Sequence, residues 1–463
     1  MLAKKVHTLE RDLRIAQQWR MVRELEEEVS QIRGLPVKRH VEMAPISRNE
    51  TRALVLRLIE QDMPESVAIP YGHALALLGA VEPGTSLRSL LIDLYAEQVG
   101  GLYDDRTGRL YVTDLFPPDS RVGRMILAHE ICHALQDQNF DFANLPLHAR
   151  NNDDAAFAIL SVIEGDATLL MIEYMSKRAS LSWLLELPRI MSLDQDQLNR
   201  TPPFWQYLLL FPYLGGLEMT QTASLEIPDA RNALLRHPPR STEQVLHPEK
   251  YLASPADEPV SVTLPYLGAR LGPQWQLRTA NTLGEAGLRA ILLPRNIPLR
   301  LNYFNLANPL QVDADVSRAA AGWGGDRWAL WMPEGTGNDA ASTPTAAVLH
   351  WRSVWDTARD AKEFMDYVAE KRVMELLGSG EGRTVQEYAP DSARLAENLK
   401  AAAAGENEGG ENAGRIKECR AWVRPADSRR VLLARSGLQV DLLIAYGPGT
   451  ESFFPLNPHP EEK

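Results

Sequence analysis

Five consecutive residues, His129-Glu130-Ile131-Cys132-His133, constrain this chain more than any other segment, because their spacing has a use only on a helix. Side chains four apart on an α-helix differ by about 40° of rotation, so both imidazoles leave the same face. Pro117-Pro118-Asp119-Ser120 breaks the chain just before, and the pattern predicts a helix from about 121 to 138. Upstream, Gly101-Leu102-Tyr103-Asp104 and Arg109-Leu110-Tyr111-Val112 flank the turn Asp105-Arg106-Thr107-Gly108, which reads as a β-hairpin. Downstream, Asn151-Asn152-Asp153 caps a second long helix expected over about 153–177. The chain contains ten histidines. A chance HExxH would turn up in roughly one such sequence in a hundred, so the hairpin-helix-helix setting carries weight beside the motif.

The chemistry follows from the ligand types. Two imidazoles one turn apart suit two positions of a tetrahedral Zn²⁺. Glu130 lies on the flank, too far round to be a third ligand but able to act as general base on a zinc-activated water. The extended pattern HExxHxxGxxH is excluded, since Gln136 and Asn139 stand where it needs Gly and His. His148 is close in sequence but sits in a Pro-containing loop without rigid support. Glu164 is the better third ligand. It falls mid-helix among Ile159, Leu160, Ile163, Ala167 and Leu170, where a carboxylate is costly unless a cation or hydrogen bonds compensate it. The plainer alternative is a glutamate salt-bridged on the helix flank. Asp166 points about 200° away from Glu164, so it cannot share the ion; it is expected to orient an imidazole or meet another buried group.

At 463 residues the chain has room for two or three domains. Its formal charge of −12 argues against nucleic acid as the main partner. Two cysteines, Cys132 and Cys419, make no disulfide framework, and Cys132 reads as a small buried thiol. No uncharged apolar run reaches membrane-spanning length; the longest, Trp205 to Leu217, is broken by Pro212. Met1 to Lys5 is basic but leads into a charged helix pattern, not a secretion leader. That pattern, with Leu9, Leu13, Ala16, Val22, Leu25, Val29 and Ile32 on one stripe, predicts a helix packed on the body. Ser47 and Glu50 form a capping box for a helix over about 48–61, and another is expected over 86–98. Residues 181–217 read as buried, kinked helices. Helix patterns near 284–293 and 357–377 alternate with strand-like 327–332 and 347–351, and a last hairpin pairs 431–435 with 439–446. The Trp-rich stretches 321–328 and 351–355 read as core. The expected organisation is therefore an N-terminal helix (1–40), a catalytic domain (41–252), an α+β region (253–400), a low-complexity linker (401–414) and a hairpin with tail (415–463).

His-Glu-Ile-Cys-His-Ala-Leu-Gln-Asp-Gln at 129–138, followed by Glu164-Gly165-Asp166-Ala167, resembles the gluzincin metallopeptidases, which hold zinc with two His and one Glu. It resembles more closely a group of largely uncharacterised bacterial proteins with the same two motifs, the Gly101–Asp104 hairpin and a stretch like Ser241 to Tyr251. Thermolysin-type enzymes keep an Asp four residues after the Glu ligand, where this chain has Thr168. The resemblance implies an α+β, zincin-like catalytic domain, a Zn²⁺ cofactor and a peptide or protein substrate. Many relatives look exported, which conflicts with the absent leader and leaves two readings of location open, cytoplasmic or extracytoplasmic. Within that frame His247, with Tyr251 behind it, is the candidate donor to the oxyanion. The hairpin, through Gly101 and Tyr103, is the candidate to receive an extended substrate strand. Two rival readings are a zinc-binding scaffold without turnover, which an intact Glu130 disfavours, and a zinc hydrolase of non-peptide amides.

Overall fold

The computed structural model describes residues 2–450, apart from 99, 114–117, 148–150, 179–199, 296, 298, 300–309, 341, 343, 378–384, 389, 391, 393–394, 397–398, 400–415 and 427. His148, the expected linker and tail, and residues 181–199 of the expected 181–217 stretch lie outside the described residues. The class is α+β, as expected.

The N-terminal half is built from helices around a small sheet. Helix α1 (Leu2–Arg33) leads to strand β1 (Glu42–Ile46), α2 (Arg48–Asp62), α3 (Glu65–Leu77) and α4 (Leu87–Gln98). The Ser47–Glu50 capping box forms as expected at the start of α2. The hairpin follows as β2 (Gly101–Asp104) and β3 (Arg109–Thr113). β3 is central: it pairs antiparallel with β2 and parallel with β1, leaving β2 as a sheet edge. Then come α5 (Arg121–Phe140), α6 (Asp153–Ser176) and α7 (Pro203–Glu226). Ser120 caps α5 by accepting from Gly123 N, and Asn152 caps α6 by accepting from Ala155 N. α7 continues through Pro212 as one helix, its buried face compensating the one backbone hydrogen bond that proline forfeits. By length and apolarity α6 could cross a bilayer, but 56% of its most apolar stretch is buried against the rest of the protein.

Val22, Leu25 and Val29 of α1 pack with Met43, Leu110, Leu127, Ile131 and Ala167, so α1 covers the back of the sheet and of α5. This confirms the expected stripe for its second half.

The C-terminal strands form one antiparallel sheet in the order β4-β5-β6-β10-β9-β8-β7, from β4 (Trp275–Asn281), β5 (Trp323–Pro333), β6 (Ala347–Trp355), β7 (Gln386–Tyr388), β8 (Glu418–Arg424), β9 (Arg429–Ser436) and β10 (Gln439–Tyr446). Here the expected organisation is corrected twice. The last hairpin is no separate piece, because β10 inserts beside β6, with Gln439 opposite Val354 and Tyr446 opposite Ala347. Nor does the core change at 253: Leu75, Ile163, Phe211, Leu288, Trp328, Leu349 and Leu442 belong to one continuous buried cluster. Trp323, Trp328 and Trp355 are fully buried there, as expected of core residues. Polar contacts reinforce the joint. Asp154, at the start of α6, accepts from the Thr242 amide (2.7 Å) and hydroxyl (2.6 Å), and the same hydroxyl oxygen accepts across the joint from the Ala286 amide at 3.0 Å. The Lys250 ammonium bonds Glu243 and Asp356 at 2.6 Å each and pairs with Asp257 at 2.8 Å.

Candidate metal centre

His129 and His133 project from the buried side of α5 toward α6, whose Glu164 meets them. His129 Nε2 lies 3.0 Å from His133 Nε2 and 3.1 Å from Glu164 Oε2, and His133 Nε2 lies 3.4 Å from the same oxygen. Ligand atoms held about 2.0–2.1 Å from a tetrahedral zinc stand about 3.3–3.4 Å apart, so the triangle has the size that one ion would need. All three side chains are only 10–13% exposed. The structure thus brings together the three residues expected as ligands.

Electrostatics points the same way. Burial disfavours charge on His133, but the adjacent Glu164 carboxylate overcomes it and raises the imidazole to about 9. Burial likewise opposes ionisation of Glu164, and the two imidazoles outweigh it, holding the carboxyl well below its ordinary range.

The surroundings of His133 fix which nitrogen faces the cluster. Gln136, three residues on and fully buried, donates through Nε2 to Ile163 O (3.1 Å) and Asp166 Oδ2 (2.7 Å). Its amide oxygen is thereby turned to His133 Nδ1, at 2.9 Å. Nδ1 must therefore carry the hydrogen, which leaves the Nε2 lone pair for an ion. Asp166 touches neither imidazole: it meets the buried Arg33 and the Gln136 amide, a side chain that the sequence reading used only to exclude a glycine.

Glu130 occupies the flank, where its Oε2 accepts from Tyr103 N of β2 at 2.8 Å. Gly101 makes this approach possible: a Cβ there would lie 3.1 Å from Glu130 Cγ and 3.4 Å from Ile126 Cγ2. Gly101 thus serves the contact between β2 and α5. The Tyr103 hydroxyl donates to Asp137 Oδ2 at 2.6 Å, which ties the strand to the end of the same helix. A cleft of about 330 Å³ is lined by Tyr103, Phe142, Leu147, Phe157 and Leu160 together with His133 and Glu164.

His247 and Tyr251 are engaged elsewhere. His247 Nε2 meets the buried Glu285 at 3.1 Å, and the Tyr251 hydroxyl donates to His237 O at 2.6 Å. A different phenol stands at the site. Tyr213 of α7 stacks on His129 with ring centres 6.0 Å apart, and the Glu164 carboxylate, with burial and Glu130 behind it, raises its hydroxyl well above the ordinary phenol range. Nothing local marks Tyr213 in sequence, 49 residues after Glu164 in an apolar run. Cys132 is wholly buried, and burial pushes its thiol well up, which fits an inert packing role.

Comparison with known proteins touches a different part of the chain. A family described as Domain of unknown function (DUF8575) matches residues 274–388, which hold β4 to β7 and none of the triad. No curated protein and no solved structure matches the chain.

Proposed function

We propose that this protein is a zinc-dependent metallopeptidase with a zincin-like catalytic half, in which His129, His133 and Glu164 hold the ion and Glu130 is the general base. The observation that carries the reading is the buried triangle of donor atoms 3.0–3.4 Å on a side, with a carboxylate one residue along the same helix. Zinc held there supplies Lewis acidity, which makes water acidic near neutral pH and polarises a carbonyl. Glu130 Oε2, placed at the sheet edge by its bond to Tyr103 N, takes the proton of the attacking water and delivers it to the leaving nitrogen. The protonated Tyr213 hydroxyl replaces His247 as donor to the oxyanion. The apolar cleft beside His133 suits an apolar side chain of the substrate.

The test is metal content and cleavage of an unfolded protein such as casein, for the wild type and two variants. Glu130→Gln should keep its zinc and lose about 10²–10⁴-fold in rate; Glu164→Ala should lose most of its zinc. Undiminished zinc in Glu164→Ala, or undiminished cleavage by Glu130→Gln, would falsify the reading. A scaffold would show zinc without cleavage in the wild type, and a non-peptide amidase would hydrolyse small amides but not casein.

A further inference from the structure

We propose that helix α1 is a working part of the metal centre: Arg33, in its last turn, positions His133 through Asp166 and Gln136, so that metal affinity and the docking of α1 are coupled. The inference rests on the reading that the triad holds a metal.

The path is continuous and buried. Arg33 Nε donates to Asp166 Oδ2 at 2.7 Å, and the two side chains are 2% and 1% exposed. The same oxygen accepts from Gln136 Nε2 at 2.7 Å, and Gln136 Oε1 meets His133 Nδ1 at 2.9 Å. On the other side, Arg231 bonds Asp166 Oδ1 and, at 3.1 Å, Asp166 O, while its Nη1 reaches Glu173 at 2.9 Å. Arg33, Asp166 and Gln136 cannot turn to water without dragging a buried partner with them. The Asp166 carboxylate, 1% exposed, has two guanidinium groups facing it, Arg33 and Arg231. Removing Arg33 therefore costs Asp166 one of its two cations and loosens the oxygen that fixes the Gln136 amide.

The two imidazoles are also unequal. His133 is clamped at Nδ1, whereas His129 Nδ1 is buried with no hydrogen-bond partner among the described residues. His133 is thus the pre-oriented ligand, and the relay from α1 acts on it alone. Thr168, where thermolysin-type enzymes keep an Asp, has a buried hydroxyl that likewise lacks a partner. The orienting contact therefore falls on the second histidine, and its far end, Arg33, lies 133 residues before Asp166 in sequence.

Coupling is reciprocal, so zinc should hold α1 as firmly as α1 holds zinc. The experiment measures zinc affinity of the full-length protein by competition with a chromophoric chelator, for the wild type, Gln136→Leu, Arg33→Met and Arg33→Lys. The cobalt-substituted absorption spectrum and hydrogen exchange over residues 22–33 are recorded alongside. Loss of a group that orients a metal-bound imidazole weakens metal binding about 10–100-fold. Gln136→Leu should fall in that range, Arg33→Met at about its lower end, and Arg33→Lys should recover most of the affinity. Both weakened variants should shift the cobalt spectrum, and zinc should slow exchange in α1 of the wild type but not of Gln136→Leu. A mere structural clamp would lower the thermal midpoint of Arg33→Met while leaving affinity and spectrum untouched, and that result overturns the proposal. Gln136→Leu keeps the Arg33–Asp166 pair, so it remains informative if Arg33→Met fails to fold. A wild type that takes up no zinc instead overturns the metal reading beneath.

Discussion

Helices α6 and α7 cross where Gly165 faces Gly216, and that crossing sets the position of Tyr213 over the proposed metal centre. A Cβ on Gly216 would lie 1.8 Å from Ser161 O, and one on Gly165 would lie 2.1 Å from Gly216 C. Ordinary contact begins at 3.4 Å, so Gly216→Ala must part the two backbones by roughly 1.5 Å. Neither partner is a side chain that can swing aside. Overpacking of a tight core costs about 1–3 kcal/mol, and a clash of backbone on backbone belongs at the upper end. Tyr213 is less than one turn before Gly216 and moves with it, whereas the three ligands sit on α5 and α6. A displacement of about 1 Å in a group that acts on the transition state costs up to about 10²-fold. Gly216→Ala is therefore expected to bind zinc in the wild-type ratio, melt earlier and lose one to two decades in kcat/KM on an unfolded protein substrate. Metal analysis, a thermal scan and steady-state kinetics on one preparation check it. Full activity with an unchanged midpoint would refute the argument that this crossing places Tyr213.

Two further expectations have separate origins. Tyr213→Phe removes only the hydroxyl and should lower kcat by about 10²–10³-fold with zinc content unchanged; equal kcat for variant and wild type would return the oxyanion to another donor. Asp154 concerns stability. Its burial pushes it up to about 7, against an ordinary value near 3.8. Between those two pH values the folded chain holds a proton that the unfolded chain has released, so this group makes stability fall as pH rises toward 7, by at most about 1.4 kcal/mol per pH unit. Asp154→Asn should flatten the pH dependence of denaturant unfolding across that window, and an unchanged slope would show that Asp154 is already ionised in the fold.

Much of the site is legible because its rules are local. The i, i+4 spacing of His129 and His133, the Ser47–Glu50 capping box and the turn between β2 and β3 each depend on neighbours in the chain, and each forms where the pattern puts it. Glu164 is legible for an energetic reason, since a carboxylate in an apolar helix stripe demands a counter-charge. Gln136 could have been found by the same argument, one turn beyond His133 on a buried face, had its polarity been read as a need for partners.

Tyr213, Arg33 and Arg231 carry no such mark. Each becomes meaningful only when α7, α1 and the helix over 230–236 are laid against α5 and α6. The same holds for the C-terminal sheet: the strands of the last hairpin are readable, but their insertion beside β6 is not. Periodicity and capping are properties of one segment, and they determined by themselves the two long helices of the site, the hairpin beside them and which two histidines face together. By contrast, β1, β4, β8 and the helix over 65–77 bore no such signal. Which segments meet was decided by burial of apolar surface across the whole chain, a sum over distant residues that no single stretch contains.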